Sequence, residues 1–295
     1  MTSVGAVVET EVAKLYLDLL KKSLTRTIAS ETYSAAEPWF GFVRWLFLPI
    51  QMFLLAHGWT IVRRRAVDDG VRAEGRDWPE DAETMIGLKR LDNLQFCIER
   101  VLEDGVPGDL IETGVWRGGA TIFMRGALKA YGDTRRRVWV ADSFQGLPKP
   151  TPGIWRDDER GRLWKFGTTL AVSLAQVRAN FERYGLLDDQ VRFLPGWFRD
   201  TLPTAPIERL AVLRLDGDMY ESTMDGLRAL YPKLSVGGYC ILDDYYAQSG
   251  QRQAVNEYRL ENGITEPIER IDWTGAFWRK TRPAGSTAAP SDECA

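Results

Sequence analysis

Two apolar runs in this chain end in acids. Leu210–Leu215 is followed by Asp216, and Gly238–Leu242 by Asp243 and Asp244. In an α/β sheet the carboxyl ends of parallel strands share one edge, where ligands bind. If the runs are neighbouring strands, three carboxylates converge on one spot. Like charges that close resist joint ionisation unless a cation lies among them. Oxygen donors without histidine or cysteine favour Mg²⁺, with Mn²⁺ and Ca²⁺ as alternatives. The competing view is that these acids end strands in solvated turns. Asp218 either joins them at the sheet edge or caps the following helix.

The rest of the composition pushes the chemistry onto carboxylates. His57 is the only histidine, so histidine catalysis and histidine-rich zinc sites are nearly excluded. Cys97, Cys240 and Cys294 are too few and scattered for a disulfide framework or thiolate metal site, and they suit a reducing cytoplasm. A net charge of −3 gives no bias toward nucleic acid.

Upstream, the stretch Glu112-Thr113-Gly114-Val115-Trp116-Arg117-Gly118-Gly119 joins a strand to a helix. Glycines there let backbone approach a ligand, and the helix start offers free N–H groups. The spacing departs from the dinucleotide fingerprint, which disfavours a pyrophosphate cofactor. Glu112 sits where a ligand amino group could be held. A second strand ends at Asp142, an acid placed to accept from ribose hydroxyls, or else to cap a turn. A third leads to Gly196-Trp197. Together they fit a ligand with an amino acid, a ribose and a flat base. S-adenosylmethionine is such a ligand; a nicotinamide cofactor is the alternative. A sulfonium methyl is already electrophilic, so the site must prepare and align the nucleophile. An acceptor hydroxyl needs a base, and Asp216 is the candidate for both base and metal ligand.

These residues need a scaffold. Val12–Ile28 and Ala82–Val101 carry apolar residues at helical spacing. From Asp109, short apolar strands alternate with helices. Strands are expected at 110–113, 138–141, 191–194, 210–215 and 239–242, with a closing pair at 268–271 and 276–279. This predicts an α/β fold: a doubly wound, mostly parallel seven-stranded sheet with an antiparallel edge. Residues 1–104 form an N-terminal helical lid or oligomerisation region, 105–282 the Rossmann-like domain, and 283–295 a disordered tail. Pro38–Trp59 is dense in Trp, Phe and Leu but interrupted by Arg44, Pro49, Gln51 and His57. It falls short of the roughly 18–20 residues that span a bilayer. A buried helical hairpin, lid or subunit contact is expected, ahead of membrane contact.

The chain resembles the macrocin O-methyltransferase family of magnesium-dependent enzymes that methylate sugar hydroxyls on natural products. The matching strings include Leu15–Lys21, Thr84–Gly87, Leu91–Leu94, Gly105–Asp109, Glu112–Gly119 and Val138–Gly146. They continue through Tyr184–Asp189, Phe193–Phe198, Leu213–Tyr220 and Asp243–Tyr245, covering about residues 12 to 280. The resemblance implies S-adenosylmethionine held by Thr84, Met85, the loop Glu112, Thr113, Gly114, Val115, Trp116 and the loop Asp142, Ser143, Phe144, Gln145, Gly146, Leu147. It also implies Mg²⁺ on Asp216, Asp243 and Asp244, and a homo-oligomer whose N-terminal elements help close active sites. The chain departs from that family around Trp39–Trp59 and at Lys149–Thr169, both bordering the acceptor. The expected activity is O-methylation of a sugar on a glycosylated metabolite. The alternatives are methylation of a catechol-like diol, and a non-catalytic nucleotide- or metal-binding module.

Overall fold

The computed structural model describes residues 3–29, 31–35, 41–161 and 163–283. The expected disordered tail lies outside them, except for Pro283. The chain begins with α1 (Ser3–Leu24), β1 (Glu31–Ala35), α2 (Gly41–Ala56), β2 (Val62–Ala66), α3 (Asp69–Ala73) and α4 (Leu88–Glu103). It continues with β3 (Asp109–Thr113), α5 (Gly119–Ala130), β4 (Val138–Asp142), α6 (Arg156–Arg160), α7 (Gly167–Leu170), α8 (Leu174–Arg183) and β5 (Val191–Pro195). Then follow α9 (Phe198–Thr201), β6 (Leu210–Leu215), α10 (Tyr220–Leu230), β7 (Leu234–Leu242), α11 (Ser249–Glu261), β8 (Glu269–Arg270) and β9 (Ala276–Arg279).

Seven strands form one sheet in the order β5-β4-β3-β6-β7-β9-β8. The five β3 to β7 are parallel, and β9 runs antiparallel to both β7 and β8. The chain winds outward from β3 to β5 and then returns to place β6 beside β3. That reversal opens a crevice beyond the carboxyl ends of β3 and β6, the usual place for a ligand in such sheets. The central strands are buried on both faces, as near-continuous apolar runs require. One core packs α1, α4, α5 and α8 on one face through Leu17, Leu91, Phe123 and Phe181. The other packs α10 and α11 through Leu227, Val255 and Tyr258.

Two expected elements differ. The helix predicted from Ala82 starts only at Leu88, because Arg72 of α3 takes the carbonyls of Thr84 and Ile86 that an earlier turn would use. The hairpin expected at Pro38–Trp59 is a single helix, α2, with Pro49 inside it; residues 38–40 lie outside the described structure. The antiparallel ribbon of β1 and β2, paired from Glu31↔Ala66 to Ala35↔Val62, brackets this helix. In its second half, Ile50, Met52, Phe53 and Leu55 are all exposed. No described helix is long and apolar enough to cross a membrane.

Candidate active site

The strand register places the chemistry. Thr113 pairs with Leu215, and Leu215 with Leu242, so Gly114, Asp216 and Asp243 leave the sheet at one level. Residues two apart on a strand share a face. Glu112, Arg214 and Ile241 therefore lie side by side, with Asp216 and Asp243 following on the same face. Arg214, fully buried, uses that alignment: Nη1 donates to Glu112 and to Asp216 Oδ2 (2.9 Å), and Nη2 donates to Asp243. Arg90 of α4 donates Nη1 to the other oxygen of Asp243 and Nε to Asp272 (2.9 Å).

Asp243 is thus spoken for. Burial works against its ionisation, but the Arg214 and Arg90 guanidiniums outweigh burial and hold its carboxyl below the usual range. The acids that gather around open space are Asp216, Asp218 and Asp244, each offering an oxygen within 4.8 Å of the others. Asp218 reaches them by a turn with φ of 55°. Burial first, then repulsion from neighbouring carboxylates, pushes Asp216 and Asp244 well up and Asp218 up to about 7. So the structure brings Asp216 and Asp244 together as expected, adds Asp218, and turns Asp243 toward two arginines instead. Three hard oxygen donors with unbalanced negative charge fit a Mg²⁺ ion.

A large cavity runs from these acids along the crevice. Of the expected cofactor residues, Thr84, Met85, Glu112, Gly114, Val115, Trp116, Asp142, Ser143, Gly146, Leu147 and Trp197 line it. Thr113, Phe144 and Gln145 do not: Thr113 is buried behind the wall, Phe144 packs against the core, and Gln145 is exposed. Gly114 can be nothing else, since a Cβ there would lie 1.9 Å from the Asp216 carbonyl oxygen, at φ of 86°.

Glu112 supplies the clearest sign of a ligand-binding wall. Arg214 takes one of its oxygens, while buried Oε2 has no hydrogen-bond partner among the described residues. Burial, against the pull of Arg214, raises its carboxyl to about 7. A buried, unpaired acceptor at the cavity wall calls for a donor, and the ammonium of an amino-acid moiety fits. Asp142 does two things: it accepts from Val115 N (2.8 Å) and Phe144 N (2.7 Å), tying two loops together, and it also lines the cavity. The turn-cap role and a place in the cavity wall thus coexist in one carboxylate.

Sequence reasoning missed Arg72, Arg90 and Arg214. Arg214 was signalled by a charge inside an otherwise apolar strand, two residues before Asp216 on the same face. Arg72 and Arg90 gave no such signal: Arg72 lies in the charged connector 63–79, and Arg90 falls on a polar position of the helical pattern 82–101. Trp78 and Trp273, which also line the cavity, were missed too.

An open parallel sheet, an acid and glycine loop at the first strand end, and acids ending β6 and β7 define a Rossmann-like methyltransferase. The family model for macrocin O-methyltransferase (TylF) matches residues 13–280. A Streptomyces olivaceus enzyme, 8-demethyl-8-(2,3-dimethoxy-alpha-L-rhamnosyl)-tetracenomycin-C 4'-O-methyltransferase, is 55% identical over 94% of this chain and 97% of its own. Mycinamicin III 3''-O-methyltransferase of Micromonospora griseorubida is 51% identical over 91% of this chain and 97% of its own. Among solved structures, the O-methyltransferase NovP superposes with a TM-score of 0.79 at 48% identity, covering 92% of this chain and 100% of that one. The chain belongs to the macrocin O-methyltransferase family and is an O-methyltransferase.

Proposed function

We propose that this enzyme transfers a methyl group from S-adenosylmethionine to a sugar hydroxyl of a glycosylated natural product, with Mg²⁺ held by Asp216, Asp218 and Asp244. The observation that carries the reading is the acid trio at one end of a cavity whose wall holds the unpaired Oε2 of Glu112. The named activities of the relatives support a sugar as acceptor. Among the cavity walls, the indoles of Trp78 and Trp273 and the polar side chains of Glu221 and Asp225 suit a ring bearing several hydroxyls.

Glu112 would receive the donor's ammonium on Oε2, Gly114 would admit its carboxylate end, and Asp142 and Trp197 would hold the ribose and the base. Arg214 holds Asp216 by Oδ2, leaving Oδ1 for the acceptor. The acceptor hydroxyl gives its proton to Asp216 as its oxygen takes the methyl, and the C–S electron pair stays on sulfur. In the metal-free protein burial and the neighbouring carboxylates raise the proton affinity of Asp216, and a bound cation would lower it toward the ionised form that accepts a proton. The cation, when bound, would supply positive charge that stabilises a developing alkoxide. Alignment of oxygen, methyl and sulfur contributes up to roughly 7–11 kcal/mol in ideal cases.

Residues 1–104 serve as lid and oligomerisation region. The exposed apolar faces of α1 (Val12, Leu15, Leu19) and α2 (Met52, Phe53, Leu55) are suited to a second copy of the chain. Two buried free cysteines, Cys97 and Cys240, suit the reducing cytoplasm.

The reading is tested with the rhamnosylated tetracenomycin used by the Streptomyces relative and a panel of other deoxysugar glycosides. A mass gain of one methyl on the sugar is expected. Methylation of simple catechols with none of the glycosides would replace it with the diol reading.

A further inference from the structure

Strand order sets where each part of the reaction lies along the carboxyl edge of the sheet. The residues given to the donor sit at the ends of β3, β4 and β5: Glu112, Asp142 and Trp197. The acids follow β6 and β7. Beyond β7 comes β9, where Ala276 pairs with Leu242, so the turn 271–275 leaves the sheet at the level of Asp243. A methyl delivered from the β3 side therefore meets an acceptor that lies toward β9. The turn contributes Trp273 and Thr274 to the cavity wall there. From β6 to β9 is two strand spacings, about 9–10 Å, which is room for one pyranose ring between Asp216 and the indole.

Trp273 is held firmly, although no step of the methyl transfer uses it. Its Nε1 donates to Glu74 O (2.7 Å). The Arg76 guanidinium lies over the ring, 5.0 Å from its centroid. Asp272 shapes the turn: Oδ1 accepts from Thr274 N (2.9 Å) and Gly275 N (2.7 Å), and Oδ2 accepts from Arg90, the arginine that also holds Asp243. Glu74 is pinned in its turn, because α3 and α4 meet so closely that a Cβ on Gly87 would lie 2.3 Å from Ala73 O. With one face taken by Arg76 and the N–H by Glu74, the indole has its other face and its benzo edge left for the cavity. The polar handle is spent, so what remains is an apolar surface with a negative π face. The C–H face of a sugar ring, slightly positive and apolar, complements it.

We propose that Trp273 is a specificity-determining residue: the open face of its indole carries the C–H face of the acceptor sugar, and its fixed distance from Asp216 selects the ring that is methylated. This rests on the sugar-acceptor reading given above. The hydrogen bond to Glu74 and the Asp272 turn keep the platform from swinging away, so the ring is oriented before the donor's methyl reaches it.

The test uses the full-length enzyme with S-adenosylhomocysteine bound. The acceptor probes are the rhamnosylated tetracenomycin of the Streptomyces relative and deoxysugar glycosides with unlike aglycones, each titrated calorimetrically. Trp273→Ala should weaken every glycoside that the parent binds by about tenfold, the worth of the apolar contact on one sugar face. Trp273→Phe, which keeps an aromatic face, should return to within about threefold of the parent. Affinity for S-adenosylhomocysteine alone should stay within about twofold in both variants, because the donor lies on the far side of the acids. Unchanged glycoside affinity in Trp273→Ala would overturn the proposal, and so would a Trp273→Phe variant as weak as the alanine one. A loss confined to one aglycone would assign Trp273 to that aglycone and overturn it. An equal loss of S-adenosylhomocysteine would make Trp273 a general structural residue and overturn it too. A parent that binds none of the glycosides would bring down the sugar reading together with the proposal; failure of the platform alone is told apart because the parent then still binds them.

Discussion

At the scale of single residues, the site depends on which carboxylates have partners. Asp243 has two arginines, and Glu112 has one oxygen paired and one free. Because burial lifts Glu112 to about 7 from an ordinary 4.5, the unfolded chain sheds this proton first as pH rises. Its contribution to stability is therefore complete below about pH 4.5 and is lost as pH climbs toward 7. Binding of an ammonium needs the ionised form, so the affinity for S-adenosylhomocysteine should rise between pH 6 and 8. Calorimetric titration across that range should show the rise in the parent enzyme. In Glu112→Gln it should be absent, with affinity about tenfold weaker for loss of a charged hydrogen bond. A pH-independent parent would remove Glu112 from the ammonium site. From sequence, the acids at strand ends were legible because apolar runs mark where strands stop. Their division of labour was not, since it depends on Arg90, brought in from a helix more than a hundred residues away.

At the scale of elements, the segment 82–87 shows how one buried guanidinium can override local helical spacing. Arg72, 1% exposed, donates to Thr25 O (2.9 Å), Asp77 Oδ1 (3.1 Å), Thr84 O (3.2 Å) and Ile86 O (2.9 Å). That clamp holds Thr84 and Met85 in the cavity wall. Arg72→Met should leave these acceptors unpaired and cost about 3 kcal/mol or more in urea unfolding. It should also weaken nucleoside binding, because the loop would be free to wind into α4. Arg72→Lys should rescue little, because a single ammonium cannot reach so dispersed a set of oxygens. Intact nucleoside affinity in Arg72→Met would mean that the loop needs no clamp. The strands and the helices between them were legible from their period, and their ends moved by only a few residues. The β1–β2 ribbon was not, because its two short strands are separated by the whole of α2 and carry charged residues such as Arg63 and Arg64.

At the scale of the whole molecule, the doubly wound sheet and its antiparallel edge followed from the alternation of elements, and the crevice from the reversal at β3 and β6. What the pattern could not give was the fate of the apolar segment before residue 60, since several of its described side chains find no cover within the chain. Met52, Phe53 and Leu55 remain exposed on α2, and a second copy is the proposed cover. Phe53→Asp should shift light-scattering mass from oligomer to monomer at micromolar concentration; a parent enzyme that is already monomeric there would remove the oligomer from the account. The central claim is that Asp216, Asp218 and Asp244 gather a divalent ion beside the methyl donor, with Asp216 taking the proton. The most direct measurement is Mn²⁺ binding by electron paramagnetic resonance alongside methyl transfer, in the parent and in Asp216→Asn, Asp218→Asn and Asp244→Asn. One tight ion is expected in the parent, with weakened binding in all three variants, and turnover abolished in Asp216→Asn while S-adenosylhomocysteine still binds. Full methyl transfer by Asp216→Asn, or by metal-stripped parent enzyme, would contradict it.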